Sequence, residues 1–333
     1  MKAAILKGYD KNGCELEIRE VPVPAISENE VLVKIRTAGV NPLDNMIMRG
    51  EVKLVVPYSF PLIMGNEFVG VIEKTGAAVK DFTAGDRVYG RMPLKKIGAF
   101  AEYAAVEASA VARVPAYLSD EEAACVPLTA LTALQAFELM HPKAGETVFI
   151  SGGTGSLGAM AIPVAKSLGL TVITSGNGAG EERVRKLGAD RFIDYRKEDY
   201  AEVLSDVDYV LDTLGDRELA KEFRILKKGG SLVSLRGLPN GEFAVRSRMP
   251  FLKRILFGIA GGKYDRMASA KEQKYFFVFV HEDGAGLEKL SGIFQDRPVE
   301  ASVDAVFGLD EVNQALKKVA SGGSKGKTVL KIS

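Results

Sequence analysis

Over residues 1 to about 122 the apolar positions come in short runs, many alternating with polar ones and cut by Pro and Gly. That period of two predicts strands over Ala3 to Lys7, Leu16 to Val21, Glu30 to Gly39, Gly70 to Thr75 and Arg87 to Tyr89. From about Asp120 the period changes. Glu121-Glu122-Ala123-Ala124 opens a helical stretch that runs, with a break at Pro127, to about Met140. Short apolar strands and helices then alternate. The strands are Thr147 to Ser151, Thr171 to Ser175, Arg191 to Asp194, Tyr209 to Thr213 and Ser231 to Arg236, with helices at Leu157 to Leu168 and Glu181 to Leu187 between them. A βαβα order implies an α/β unit with a parallel sheet covered by helices on both faces. The turns at its carboxyl edge (Gly153, Gly176, Gly215, Gly237) are where a ligand is expected.

One of those turns carries more information than the rest. The strand Thr147 to Ser151 feeds into Gly153-Thr154-Gly155-Ser156-Leu157-Gly158 and then into an apolar helical pattern. This is a G-x-G-x-x-G turn after a strand and before a helix, the context that dinucleotide binding requires. Gly153 is expected to permit the tight turn, Gly155 to admit a pyrophosphate and Gly158 to let helix and strand approach. Free N–H groups at the helix start then face the phosphates.

Composition narrows the class without changing this picture. The 333 residues are 47% hydrophobic and 26% charged, enough apolar surface for two packed domains. Basic and acidic residues number 44 and 43, so no global field favours nucleic acid. Cys14 and Cys125 make no metal-like spacing, and a reducing, cytoplasmic setting is the expectation. No stretch reads as a signal peptide or a membrane span. The exception to the even charge is residues 241–275, with eight Lys or Arg and three acids, net +5 against −4 for the remainder. Within it Phe251, Leu252, Ile255, Leu256 and Ile259 share one face of a helix. The expectation is that this face packs onto the cofactor domain or a substrate cleft, with the charges solvated; the alternative is a helix lying on a membrane surface.

Several separated motifs, in order, resemble the medium-chain dehydrogenase/reductase superfamily. They are Ala38-Gly39-Val40-Asn41-Pro42-Leu43-Asp44, Pro61-Leu62-Ile63-Met64-Gly65-Asn66-Glu67-Phe68-Val69-Gly70, Phe82-Thr83-Ala84-Gly85-Asp86-Arg87-Val88, Pro127-Leu128-Thr129-Ala130-Leu131-Thr132-Ala133, the glycine turn, Leu187-Gly188-Ala189-Asp190 and Gly326-Lys327-Thr328-Val329-Leu330. The resemblance implies a GroES-like β-rich catalytic domain over 1–122 and 297–333. It also implies a Rossmann doubly wound parallel-sheet cofactor domain over 123–296, carrying the basic amphipathic insert 241–275. Zinc dehydrogenases of this superfamily carry Cys where the chain has Asn41 and His where it has Asn66, and Asn is a poor zinc ligand. The chain looks like the zinc-free quinone oxidoreductase branch, which includes reductases of activated carbon–carbon double bonds; no metal site is expected.

NADPH is the cofactor expected, because the strand ending in Ser175-Gly176-Asn177 has no acid to repel a 2′-phosphate. Where NADPH users of the family often carry Lys, the chain has Gly180; Ser175 and Asn177, beside Gly176 in the expected cofactor site, and Arg183 are possible substitutes, Arg183 being most simply read as solvated. The resemblance further implies cofactor contacts from Gly153, Thr154, Gly155, Ser156 and Leu157, from Tyr195 beside the adenine ribose, and from the backbones of Leu214, Gly215, Leu235, Arg236 and Gly237 around the nicotinamide. Thr129 and Thr132 are expected to face the carboxamide, and Lys327 is placed to reach a phosphate or to stand exposed. For catalysis, Asn41 is expected to donate to the acceptor oxygen or to orient the nicotinamide ribose, Asp44 to fix its loop and Tyr58 to supply a proton or line the pocket. The expected partners are a small electrophilic substrate and, through the apolar run Lys274 to Val280, a second copy in a homodimer, a buried central strand being the alternative for that run; no nucleic acid and no membrane partner are expected. A different class remains open on sequence alone, an NADPH-binding sensor or partner-binding protein with little turnover.

Overall fold

A computed structural model describes residues 1–299, 301–322 and 326–333. The chain opens with β1 (Lys2–Leu6), β2 (Glu17–Glu20), β3 (Glu30–Val40), α1 (Pro42–Met48), β4 (Leu62–Ile63), β5 (Glu67–Thr75), β6 (Arg87–Arg91), β7 (Tyr103–Glu107) and β8 (Val111–Arg113). Helices α2 (Asp120–Ala123) and α3 (Pro127–Met140) follow, separated at Pro127 as expected. The α/β series is β9 (Thr147–Ile150), α4 (Ser156–Ser167), β10 (Thr171–Gly176), α5 (Glu181–Lys186), β11 (Arg191–Asp194), α6 (Tyr200–Val203), β12 (Val207–Asp212), α7 (Asp216–Ile225), β13 (Leu226–Ser234), α8 (Gly241–Arg246), α9 (Phe251–Ser269) and β14 (Lys274–Phe277). The chain ends with α10 (Gly284–Asp296), β15 (Val303–Gly308), α11 (Val312–Ser321) and β16 (Lys327–Lys331).

Two compact units result: Met1–Leu131, His281–Gln295 and Glu300–Ser333 form one, Thr132–Val280 and Asp296–Val299 the other. The expected boundaries at 122/123 and 296/297 therefore need correction. The first unit extends into α3, and α10 belongs with the β-rich unit. The reason is local. Tyr89 on β6 shares a 2.8 Å hydrogen bond with Ser291 Oγ of α10, and the Leu94 N–H donates to Glu282 just before that helix at 3.1 Å.

In the first unit a seven-stranded sheet has the order β15-β16-β3-β5-β6-β8, with β7 also paired to β3, and a smaller sheet runs β2-β1-β4. Strand β3 is the spine, antiparallel to β5, β7 and β16. Its long apolar run is buried at both ends, leaving Lys34 and Arg36 exposed. In the second unit six parallel strands run β11-β10-β9-β12-β13-β14. Renumbered from β9 this is the order 3-2-1-4-5-6 of a doubly wound nucleotide-binding sheet, whose strand order reverses beside its first strand. Strand β14, drawn from the run Lys274 to Val280, is the outermost strand and not a central one.

Two expectations about helices change. Asp120–Met140 is long and apolar enough to cross a membrane by length and composition, but 83% of its 18-residue apolar window is buried inside the protein, which marks a core segment. In α9 the residues packed inward are Phe257, Gly261, Tyr264 and Ala268. Phe251, Leu252, Ile255, Leu256 and Ile259, expected to pack, are exposed.

Candidate active site and cofactor site

In the first unit, β3 ends at Val40, Asn41 caps α1, and Pro42 supplies a pre-set first turn. Asp44, at the third helical position, turns its carboxylate back to accept the Asn41 backbone N–H at 2.7 Å. Its other oxygen accepts from Asn66 Nδ2, also at 2.7 Å. Asn66 and Glu67 lie at the start of β5, and Lys327 starts β16 across β3. Glu67 Oε1 receives Lys327 Nζ at 2.6 Å and Asn41 Nδ2 at 2.8 Å, while Oε2 takes the Leu128 N–H at the first turn of α3. Lys327 Nζ also donates to Asn41 Oδ1 at 2.6 Å. All five side chains are buried. A buried ion pair is tolerated because each charge also has further hydrogen-bond partners, Asn41 and the Leu128 N–H for Glu67 and Asn41 for Lys327.

This geometry corrects three expectations. The Asn41 amide has no N–H left for a substrate, since its second donor contact goes to the Gly39 carbonyl at 3.3 Å; it holds Glu67 and Lys327 in place. Lys327 is not exposed but buried, and two of its three ammonium N–H groups are directed at Glu67 and Asn41. Tyr58 donates its hydroxyl to the Leu94 carbonyl at 2.9 Å, and burial pushes that hydroxyl up to about 12, so it is no ready proton source. Asp44 does fix its loop as expected. Burial, with the Glu67 charge adding to it, lifts its carboxyl to about 7 against the pull of the Asn41 and Asn66 donors. Sequence reasoning passed over Glu67, whose signal was a lone acid opening an apolar strand. It also passed over Arg91 on β6, fully buried, whose Nε and Nη2 have no protein partner and whose nearest carboxylate, Glu282, is 3.8 Å away.

In the second unit the expected cofactor residues converge on one sheet edge. The glycine turn follows β9, Ser175 to Asn177 close β10, Tyr195 follows β11, Leu214 and Gly215 follow β12, and Leu235 to Gly237 follow β13. The left-handed turn is made by Gly152 (φ 71°) and not by Gly153, whose role is close packing: a Cβ there would fall 1.9 Å from Thr174 Oγ1. A Cβ on Gly158 would lie 2.3 Å from Gly153 Cα, so α4 and the turn after β9 can meet this closely only at glycine. Gly155 is exposed, its N–H donates to the Gly152 carbonyl at 3.0 Å, and a Cβ there would fall a tight 3.3 Å from that same oxygen. Ser156 and Leu157 begin α4 with the unpaired N–H groups of a helix start.

Asp212, at the buried end of β12, organises the loops that follow β12 and β13, those expected around the nicotinamide. Its carboxylate accepts from the Leu214 and Gly215 N–H groups at 2.8 Å each and from Ser234 Oγ at 2.5 Å. Ser234 Oγ in turn accepts from Arg236 and Gly237. The N–H groups of these two loops are thus committed internally, and only their carbonyls and side chains remain for a ligand. Tyr195 is 60% exposed, which rules out a packing role at the strand end. Arg183 is not simply solvated: its guanidinium donates to the Thr154 carbonyl at 2.5 Å, placing a cation at the glycine turn. A Cβ on Gly180 would lie 2.6 Å from Thr154 Cγ2, so a lysine there would displace the turn. Asp194 Oδ2, at the end of β11, stands beside Gly178 in the turn that follows β10. On α3, Thr129 Oγ1 donates back to the Cys125 carbonyl at 2.7 Å, a local helix bond, and Thr132 is buried three residues on.

Among the described residues no group of three or more His, Cys, Asp or Glu could hold a metal ion. With carboxamides at positions 41 and 66, the donor set does not fit zinc.

Comparison with known proteins agrees with this architecture. Residues 27–116 match the alcohol dehydrogenase GroES-like domain, and residues 187–330 match a family described as zinc-binding dehydrogenase. A 2-methylene-furan-3-one reductase of Solanum lycopersicum is 35% identical over 73% of the chain, which spans 65% of that protein's length. A mitochondrial NAD(P)H oxidoreductase of Danio rerio is 30% identical over 100% of the chain and 91% of its own length. The structure of the quinone oxidoreductase from Coxiella burnetii superposes with a TM-score of 0.82 at 26% identity, covering 100% of this chain and 99% of that one. The chain therefore belongs to the medium-chain dehydrogenase/reductase superfamily and is an NAD(P)H-dependent oxidoreductase of that family.

Proposed function

We propose that the chain reduces an activated acceptor, a quinone or an α,β-unsaturated carbonyl, with NADPH and without zinc. The observation that carries this reading is the pair Asn41 and Asn66, tied into the Asp44, Glu67 and Lys327 network at the two positions where zinc dehydrogenases place ligands. With no Lewis acid to polarise an ordinary ketone, the acceptor must itself be electron-poor. NADPH, when bound, supplies the hydride. The chain's own residues hold and orient. Gly155 and the start of α4 would receive the pyrophosphate, Arg183 at the glycine turn would face the 2′-phosphate, and Asp212 with Ser234 fixes the loops that would surround the nicotinamide. An enone would present its β-carbon as the electron-poor position to such a hydride donor. The names of the tomato and Coxiella relatives, a reductase of a conjugated ketone and a quinone oxidoreductase, support both acceptor types. A homodimer belongs to the same proposal, supported by the free outer edge of β14.

The test is nucleotide oxidation in the presence of EDTA against one enone and one quinone. NADPH consumption with recovery of the saturated ketone supports double-bond reduction, and turnover of the quinone alone assigns a quinone reductase. Inhibition by EDTA, or tight NADPH binding with no turnover of either acceptor, overturns the proposal.

Cofactor choice has its own test in the opposing charges at the end of β10. Arg183→Ala should raise KM for NADPH about tenfold or more and leave NADH within about twofold, as expected for one lost charge-assisted phosphate bond. Asp194→Asn should move the ratio the other way by removing the carboxylate beside Gly178. Equal changes for the two nucleotides in both variants would detach these residues from the 2′ position.

A further inference from the structure

Helix α9 has two apolar faces. At about 3.6 residues per turn, Phe257, Gly261, Tyr264 and Ala268 lie along one side and pack inward. The opposite side carries Phe251, Leu252, Ile255, Leu256 and Ile259, of which Phe251, Leu252 and Ile259 are 72%, 79% and 76% exposed. Large side chains so exposed and contiguous are uncommon on a soluble surface and mark an interaction site. The same stripe continues toward the C-terminal half of the helix through Lys263 and Arg266, and Lys253 flanks it. Lys263 is paired with Asp216 at 2.9 Å, and Asp265, the helix's one acid, is taken up by Asn240. The surrounding residues 241–275 carry net +5 in a chain whose remainder carries −4. Apolar side chains flanked by cations suit an anionic bilayer surface, where the rings and alkyl groups enter the acyl boundary and the cations meet lipid phosphates. A second copy of the chain presents the same cations and would set like charges against each other.

We propose that the exposed stripe of α9 docks the protein on an anionic membrane surface. This surface is independent of the hydride-transfer reading and replaces the sequence expectation of a packed, solvated helix with no membrane partner.

The experiment is co-sedimentation of the full chain with vesicles of phosphatidylcholine alone or with about one-third phosphatidylserine. Association is expected only with phosphatidylserine, and it should weaken at about 0.5 M salt, where charges are screened within a few ångströms. Leu252→Ser with Ile259→Ser, and separately Lys253→Glu with Arg266→Glu, should each lower the bound fraction about tenfold while NADPH oxidation in solution is unchanged. Equal binding to both vesicles, binding to neither, or binding indifferent to these substitutions overturns the proposal. So does a dimer, seen by light scattering, that the Leu252→Ser/Ile259→Ser variant dissociates, since a second copy would then cover the stripe.

Discussion

Replacing Lys327 by Met is expected to destabilise the protein by about 3–5 kcal/mol at neutral pH, because it leaves a buried carboxylate without its counter-charge. Lys327 Nζ touches two acceptors, Glu67 Oε1 and Asn41 Oδ1, each at 2.6 Å. Lys327 is 5% exposed and Glu67 fully buried, so water cannot take over when the ammonium is removed. Glu67 would retain only the Asn41 amide and the Leu128 N–H. Adding Glu67→Gln removes the stranded charge while keeping an oxygen for one of those donors. The double variant should recover most of the loss, giving a coupling energy of about 2 kcal/mol or more in a urea-unfolding cycle. A single variant that costs under about 1 kcal/mol, or two additive single effects, would show that the pair is not the structural unit described. The same variant separates this role from the phosphate contact that the family resemblance implied. Weaker NADPH binding at undiminished stability would return Lys327 to the cofactor.

That residue also shows where the sequence stops being legible. The parallel sheet, the glycine turn and the ends of β9 to β13 could be read because each depends on neighbours within a few residues: a period, a strand followed by Gly, a helix start. Lys327 sits at the start of a strand near the end of the chain, and its partners lie 286 and 260 positions away, so no local pattern distinguishes it from a surface cation. Asp212 and Glu67 leave the same faint trace, one acid at the border of an apolar strand, and only the fold shows what each acid receives. Arg183 was misread because a polar residue on a short helix defaults to solvent, whereas the turn preceding α4 offers it the Thr154 carbonyl. Helix α9 failed for another reason. Periodicity identifies a face but not its direction, and with Phe257 and Tyr264 on the reverse side the smaller, interrupted stripe is the one that packs. Position 58 was a matter of chemistry: a tyrosine near a proposed site reads as an acid until its hydroxyl is seen committed to a carbonyl.

Substituting Asp44 by Asn should change the pH dependence of stability more than its value at any one pH. The carboxyl is fully buried and rises from 3.8 to about 7, with burial the largest cause. Below about pH 4 the group is protonated in both folded and unfolded chains and contributes no slope. As pH rises from about 4 to about 7 the unfolded chain releases its proton first, so the folded state binds more protons and stability falls. Through this window the loss accumulates to the order of 4 kcal/mol, and above about pH 7 it is complete and the curve is flat again. The variant lacks the titration, so its stability relative to the natural protein should climb across the same window and then level off. Other groups titrate in both chains and cancel in the difference. Asparagine at position 44 can still accept the Asn41 N–H that caps α1, and the Asn66 oxygen, which has no partner in the native network, is available to a rotated amide. Chemical denaturation at half-unit steps of about pH 4 to 8 reads this directly. Parallel curves for the two proteins would mean that Asp44 is ionised in the fold, with Lys327 and the two donors outweighing its burial among Asn41, Asn66 and Glu67.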